Sequence, residues 1–162
     1  MKLFPVLLCS LGGLLPLASA AAEVSGEQAY ERCAACHMAD GSGVPGVFPP
    51  LKNRIPALAA SAEGRRYLTM VVQNGLMGNI VVEDVSYYGV MPAQSSVYDA
   101  KGISVVLNYL AESIDGSQLS SSWQAFTEVE VQQTLLDFAG KAGAQHTAKM
   151  RRELFRLHPE LK

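Results

Sequence analysis

Cys33-Ala34-Ala35-Cys36-His37 brings two thiols and an imidazole into one short run. Two cysteines at this spacing can each add to a vinyl group of a haem and so hold the porphyrin covalently. The histidine that follows is then kept under the iron, where it can supply an axial nitrogen. Other chemistry fits the same letters. A thioredoxin-like redox pair expects a βαβ setting, and the flanking sequence shows none. A zinc site would want a second Cys or His pair, and the remaining cysteine, Cys9, falls in an N-terminal apolar stretch. A disulfide here would close so small a loop that it removes little chain entropy. Haem attachment explains the spacing and the adjacent histidine together.

Two further stretches could serve such a group. In Phe48-Pro49-Pro50-Leu51, two prolines lock an extended segment and remove two amide donors. A carbonyl from it accepting the Nδ1 proton of His37 would fix the ring's tautomer and leave Nε2 for iron; without His37 nearby the segment is simply a stiff turn. Met91-Pro92 lies in an irregular region after Tyr87-Tyr88-Gly89-Val90. Pro92 restricts Met91 to extended backbone, which suits a side chain held out toward a fixed target.

The elements that must position these residues are helical. Ser25-Gly26-Glu27-Gln28 fits a capping box and predicts a short helix through about Cys33. Gly26 and Tyr30 share a face of it, with Tyr30 a core residue and Gly26 allowing close approach of another backbone. Ala39 to Pro50 reads as a loop, too broken for a phosphate-binding loop. Ser61 starts a second helix with Tyr67, Leu68, Val71 and Val72 on its apolar face, Gly75 as its C-terminal cap, and Arg65 and Arg66 on a solvated face. Leu76 to Tyr98 is irregular, with Ile80-Val81-Val82 as a short strand. A third helix starts at Val97 or Asp99 and runs to about Ala111, burying Ile103, Val106, Leu107 and Leu110, with Tyr109 against the Gly26/Tyr30 region.

Composition sets the frame. The 162 residues are 49% hydrophobic and 17% charged, with formal net charge -2, which suits a globular domain with an appendage and argues against a nucleic-acid partner. Lys2, an apolar run from Leu3 to Leu17 and the small-x-small Ala18-Ser19-Ala20 form a secretory leader over 1–22, with the mature chain starting near Ala21 or Glu23.

Taken in order, Cys33-x-x-Cys36-His37, Gly43-x-Pro45-Gly46-x-Phe48-Pro49-Pro50-Leu51, Met91-Pro92 and Val105-Val106-Leu107-Asn108-Tyr109-Leu110 resemble the class I c-type cytochromes, small bacterial monohaem domains, over about Ser25 to Ser113. The resemblance implies an all-α cytochrome c fold around one covalently bound haem c, with a domain over 23–116; residues 117–162, which the pattern does not cover, read as a helical C-terminal extension. It implies Cys33 and Cys36 as thioether attachments, His37 as proximal ligand with the Pro49 or Pro50 carbonyl on its ring, and Met91 as distal ligand. Met77 is the rival for that last role, since Met70 sits mid-helix and Met38 beside the proximal ligand. An iron with both axial positions filled points to electron transfer rather than substrate chemistry; the alternative is a small-ligand sensor or peroxidase in which Met91 is displaceable. The expected setting is the periplasm. A dehydrogenase is the expected electron donor and a terminal oxidase or another cytochrome the acceptor. Membrane contact is at most peripheral.

The extension carries a second capping box at Thr127 to Glu130, a helix through about Ala139 with Val131, Leu135 and Phe138 inward, and a last helix from Ala144 to Leu157. Trp123 and Phe126 are expected to anchor it, and His146 and His158 to be solvent-exposed. From Lys141 onward six basic residues face two acidic ones, against six basic and thirteen acidic from Glu23 to Gly140; this is either a docking asymmetry or a solvated helix that offsets the domain's charge.

Overall fold

The computed structural model describes residues 24–114, 119–141 and 143–161. The expected leader and the expected domain boundary near Asp115 to Ser117 lie outside the described residues.

Ser25 begins α1 (Gly26–His37) as expected: its hydroxyl accepts from the Gln28 amide at 3.2 Å, and the Gln28 side chain accepts from the Ser25 amide at 3.0 Å. The helix does not stop at Cys33 but continues through the whole motif. Ala34 and Ala35 favour helix, and the chain leaves it only at Met38, whose φ is 62°. On a continuous helix Cys33, Cys36 and His37 stand at i, i+3 and i+4 and share one face. A loop follows, pinned by the Gly41 carbonyl, which accepts from Leu51 and Lys52 amides at 2.8 and 3.0 Å. One turn of helix, α2 (Ile55–Leu58), buries Ile55 and Leu58; no amphipathic period announces so short an element.

α3 (Ala62–Asn74) is capped by the Ser61 hydroxyl, which accepts from the Gly64 amide at 3.1 Å, and ends at Gly75. The irregular stretch contains four short strands: β1 (Leu76–Met77), β2 (Ile80–Val82), β3 (Val85–Tyr87) and β4 (Val90–Met91). β2 and β3 form a hairpin that pairs Ile80 with Tyr87. Glu83 and Asp84 turn it with φ of 50° and 64°, as a two-residue hairpin loop requires. β1 pairs with β4, Leu76 opposite Met91, so Met91 lies in a short strand rather than a free loop.

α4 (Ala100–Tyr109), capped by Asp99, is the central element: Ile103, Val106 and Leu107 are 0–1% exposed. It continues as a π-helical turn, Leu110–Ile114. Tyr109 packs on Tyr30 with ring centroids 5.6 Å apart; a side chain, not a backbone, fills the space over Gly26.

The extension supplies α5 (Glu128–Asp137) and α6 (Ala144–Leu157). α5 packs on α4 and α3, and α6 on α3 and β1. Phe126, Val131, Leu154 and Phe155 belong to the same core as Ile103 and Leu107. Leu135 and Phe138, expected inward, are only half-buried. Arg65 is not a solvated side chain: it reaches Glu130 at 2.7 Å and the Gln124 carbonyl at 2.9 Å, and lies 3.9 Å from the Phe126 ring centroid. Arg66 is exposed as expected. His146 and His158 are half-buried rather than exposed, His146 against the Phe138 ring and His158 beside Glu160.

Candidate haem pocket

His37 occupies the last turn of α1 and is 8% exposed. Its Nδ1 stands 2.8 Å from the Pro49 carbonyl oxygen. A carbonyl can only accept, so Nδ1 carries the proton and Nε2 is left with its lone pair. Of the two prolines, Pro49 supplies the contact. The loop is folded back to make it: the Gly43 amide donates to the His37 carbonyl at 3.0 Å. Gly43 has φ 65°, and a Cβ there would collide with the Phe48 and Pro49 carbonyls. Burial lowers the His37 pKa by penalising the charged ring, and the Pro49 acceptor offsets only part of that, so the ring is neutral at pH 7.

Cys33 and Cys36 are not joined in a disulfide, and both are half-buried. Burial pushes the Cys33 thiol above its ordinary value, with the Tyr98 hydroxyl opposing the shift. Among the described residues no cluster of three or more His, Cys, Asp or Glu side chains is arranged to hold a metal ion.

Met91 is held from two sides. β1 pairs with it through Leu76. Gln94 then fastens the following segment: its amide donates to the Val72 carbonyl at 3.0 Å, its Nε2 to the Pro92 carbonyl at 2.9 Å, and its Oε1 accepts from Arg32 Nε at 3.0 Å. Arg32 is on α1, so the methionine segment is tied to the helix that carries the thiols. Gln94 was not foreseen; an isolated glutamine in an irregular stretch gives no periodic signal. Gly75 matters for the same segment. A Cβ on it would run into the Met91 carbonyl, with Ala93 N at 2.8 Å and the Pro92 carbonyl carbon at 2.9 Å.

Cys33, Cys36, His37, Pro49 and Met91 all line one cavity of about 370 Å³. Its other walls are mainly apolar, including Leu51, Leu68, Ile80 and Val82. Among the described residues Met91 is the methionine that lines it; Met77 is 36% exposed outside it, and Met70, 2% exposed, is packed in α3. Two cysteines on one helix face, an imidazole with Nδ1 committed to a carbonyl, a thioether and apolar walls are the donor set and surroundings a covalent haem needs. The residues fit the group.

Comparison with known proteins agrees. The cytochrome c family model matches residues 24–113. The chain is 37% identical over 121 residues to a cytochrome c-552 of Thermus thermophilus, covering 75% of this chain and 78% of that protein. It is 36% identical over 109 residues to another Thermus thermophilus cytochrome c-552, covering 67% and 82%. With a family match across the thiol motif and the Met91 segment, and relatives aligned over most of their length, the chain belongs to the cytochrome c family and is an electron-transport protein carrying covalently bound haem c.

Proposed function

We propose that this cytochrome is an exported one-electron carrier whose haem iron has His37 and Met91 as axial ligands, passing electrons from a periplasmic dehydrogenase to a terminal oxidase or a second cytochrome. The observation that carries the reading is the single cavity shared by the thiols, His37 and Met91. When bound, the haem supplies a ferric–ferrous couple that takes up and gives back one electron. The Pro49 carbonyl holds the His37 ring in one tautomer and one orientation. A soft Met91 thioether favours ferrous iron, and apolar walls disfavour the extra charge of the ferric state; both raise the potential. Held by both His37 and Met91, the iron would have no position open for a substrate or a gas, as a carrier rather than a sensor or peroxidase requires. Val47 and Val90, 51% and 67% exposed, line the cavity and also face outward, which suits an apolar contact with a redox partner. The leader over 1–22 directs export, and no described helix is long and apolar enough to cross a membrane.

Met91→Ala should abolish the ferric sulfur-to-iron absorption band, lower the potential and let the reduced protein bind carbon monoxide, while Met77→Ala leaves all three unchanged. The reverse pattern moves the ligand to Met77. The mass of the exported protein tests leader removal, and affinity capture from native periplasm tests the partners.

A further inference from the structure

The polar end of the cavity has no role in the ligand set just described. Arg54, in the loop before α2, and Arg151, on α6, both line the apolar cavity, together with Tyr67 of α3. Both residues are half-buried. Among the described residues neither takes part in an ion pair. Each uses a few of its five N–H donors on the protein: Arg54 reaches the Leu161 carbonyl at 3.2 Å, and Arg151 reaches the Val81 carbonyl at 2.9 Å and the Tyr67 hydroxyl. Burial lowers the pKa of both, and Arg54 pushes that of Arg151 down further by repulsion. Two mutually repelling charges lining one apolar chamber are costly unless anions meet them. The charged and titratable groups facing them are Tyr67, Tyr87 and Glu83 at the hairpin tip, and Glu83 makes no ion pair with either arginine. Haem brings two carboxylates, its propionates, attached to an otherwise apolar macrocycle.

We propose that Arg54 and Arg151, with the Tyr67 hydroxyl, form the propionate-binding end of the pocket, so that the C-terminal extension is a wall of the haem site. Arg151 and Phe155 reach the cavity from α6, which lies beyond the 24–113 span of the family model. The extension is therefore a positioning device for haem: it neutralises a carboxylate that would otherwise stabilise ferric iron, and it joins the group to the hairpin through Arg151 and Val81. The proposal rests on haem occupancy, which covalent mass and visible absorption check independently of the potential.

The test is potentiometry on the full-length, haem-loaded protein across pH. Arg151→Gln should raise the ferric-to-ferrous ratio at fixed ambient potential about tenfold, or about 59 mV for a one-electron couple. It should also bring in a fall of potential with rising pH, because an unneutralised propionate binds its proton more tightly when the iron is ferrous. Arg151→Lys should restore most of the potential. Arg152→Gln removes the same charge from an exposed neighbour and should do neither. Arg54→Gln, which leaves α6 untouched, should show the Arg151→Gln signature; if one of these two fails to assemble, the other decides, and if both fail, Tyr67→Phe, which removes one propionate donor from the same lining, decides by a lowered potential with a new fall at rising pH against an unchanged potential with a flat profile. A purely structural arginine would lower the unfolding midpoint with an unchanged potential and a flat pH profile, and that result overturns the proposal.

Discussion

Replacing Gly75 with alanine tests whether Met91 is placed by close backbone packing. Gly75 has φ 74° and ψ -173°, a region open essentially to glycine alone, which costs other residues on the order of 1–3 kcal/mol. The added methyl would also meet the Met91 carbonyl and press on Pro92 and Ala93. Those are backbone atoms held by β1 and Gln94, not the free end of a side chain. Overpacking of this kind costs on the order of 1–3 kcal/mol, so the combined loss is about 4 kcal/mol if nothing yields. If residues 91–93 swing away instead, part of that loss is recovered, but the thioether leaves its position. The assay is denaturant unfolding of the haem-loaded variant, read beside its sulfur-to-iron band and carbon monoxide binding. A lower midpoint with the band intact means the strain is retained; a weakened band with new ligand binding means it is relieved through Met91. A variant with wild-type midpoint and wild-type band refutes the reasoning.

Other perturbations probe the remaining contacts. Arg65→Ala removes the Glu130 pair and the Phe126 contact and should cost about 2 kcal/mol; hydrogen exchange should then speed up in α5 before α1. Asn108 accepts from the Phe126 amide at 2.7 Å and donates to the Phe126 carbonyl at 2.9 Å. Asn108→Ala should therefore cost about 2–3 kcal/mol in chemical denaturation, and Asn108→Asp less than Asn108→Ala. Acid should weaken the pocket through His37. Its folded pKa lies below the ordinary 6.5 because of burial, so the unfolded chain binds more protons. The contribution is fully present above 6.5 and is lost as pH falls through the depressed value. Under the proposed ligation, iron at Nε2 would act in the same direction, and an unfolding midpoint unchanged between about pH 7 and about pH 5 would contradict it.

Much of the site was legible because its signals are local. The motif's spacing is a covalent fact, and the capping residues Ser25, Ser61 and Thr127 set helix starts that hold in the structure. Boundaries failed where the local signal was silent. α1 ran on past Cys33 because alanines neither start nor stop a helix, and Arg65 looked solvated because its partners Glu130 and Phe126 are distant in sequence.

From the order of residues alone came the covalent attachment site, the imidazole beside it, a proline segment with a free carbonyl, and a methionine confined to extended backbone. Those properties depend on neighbours along the chain. Only the folded chain chose Pro49 over Pro50, set Met91 rather than Met77 against the cavity, and carried Arg151 from the extension to the same chamber as Arg54. Such choices depend on which segments pack together across long sequence separations, and one residue's register in a strand or a helix face is enough to reverse them.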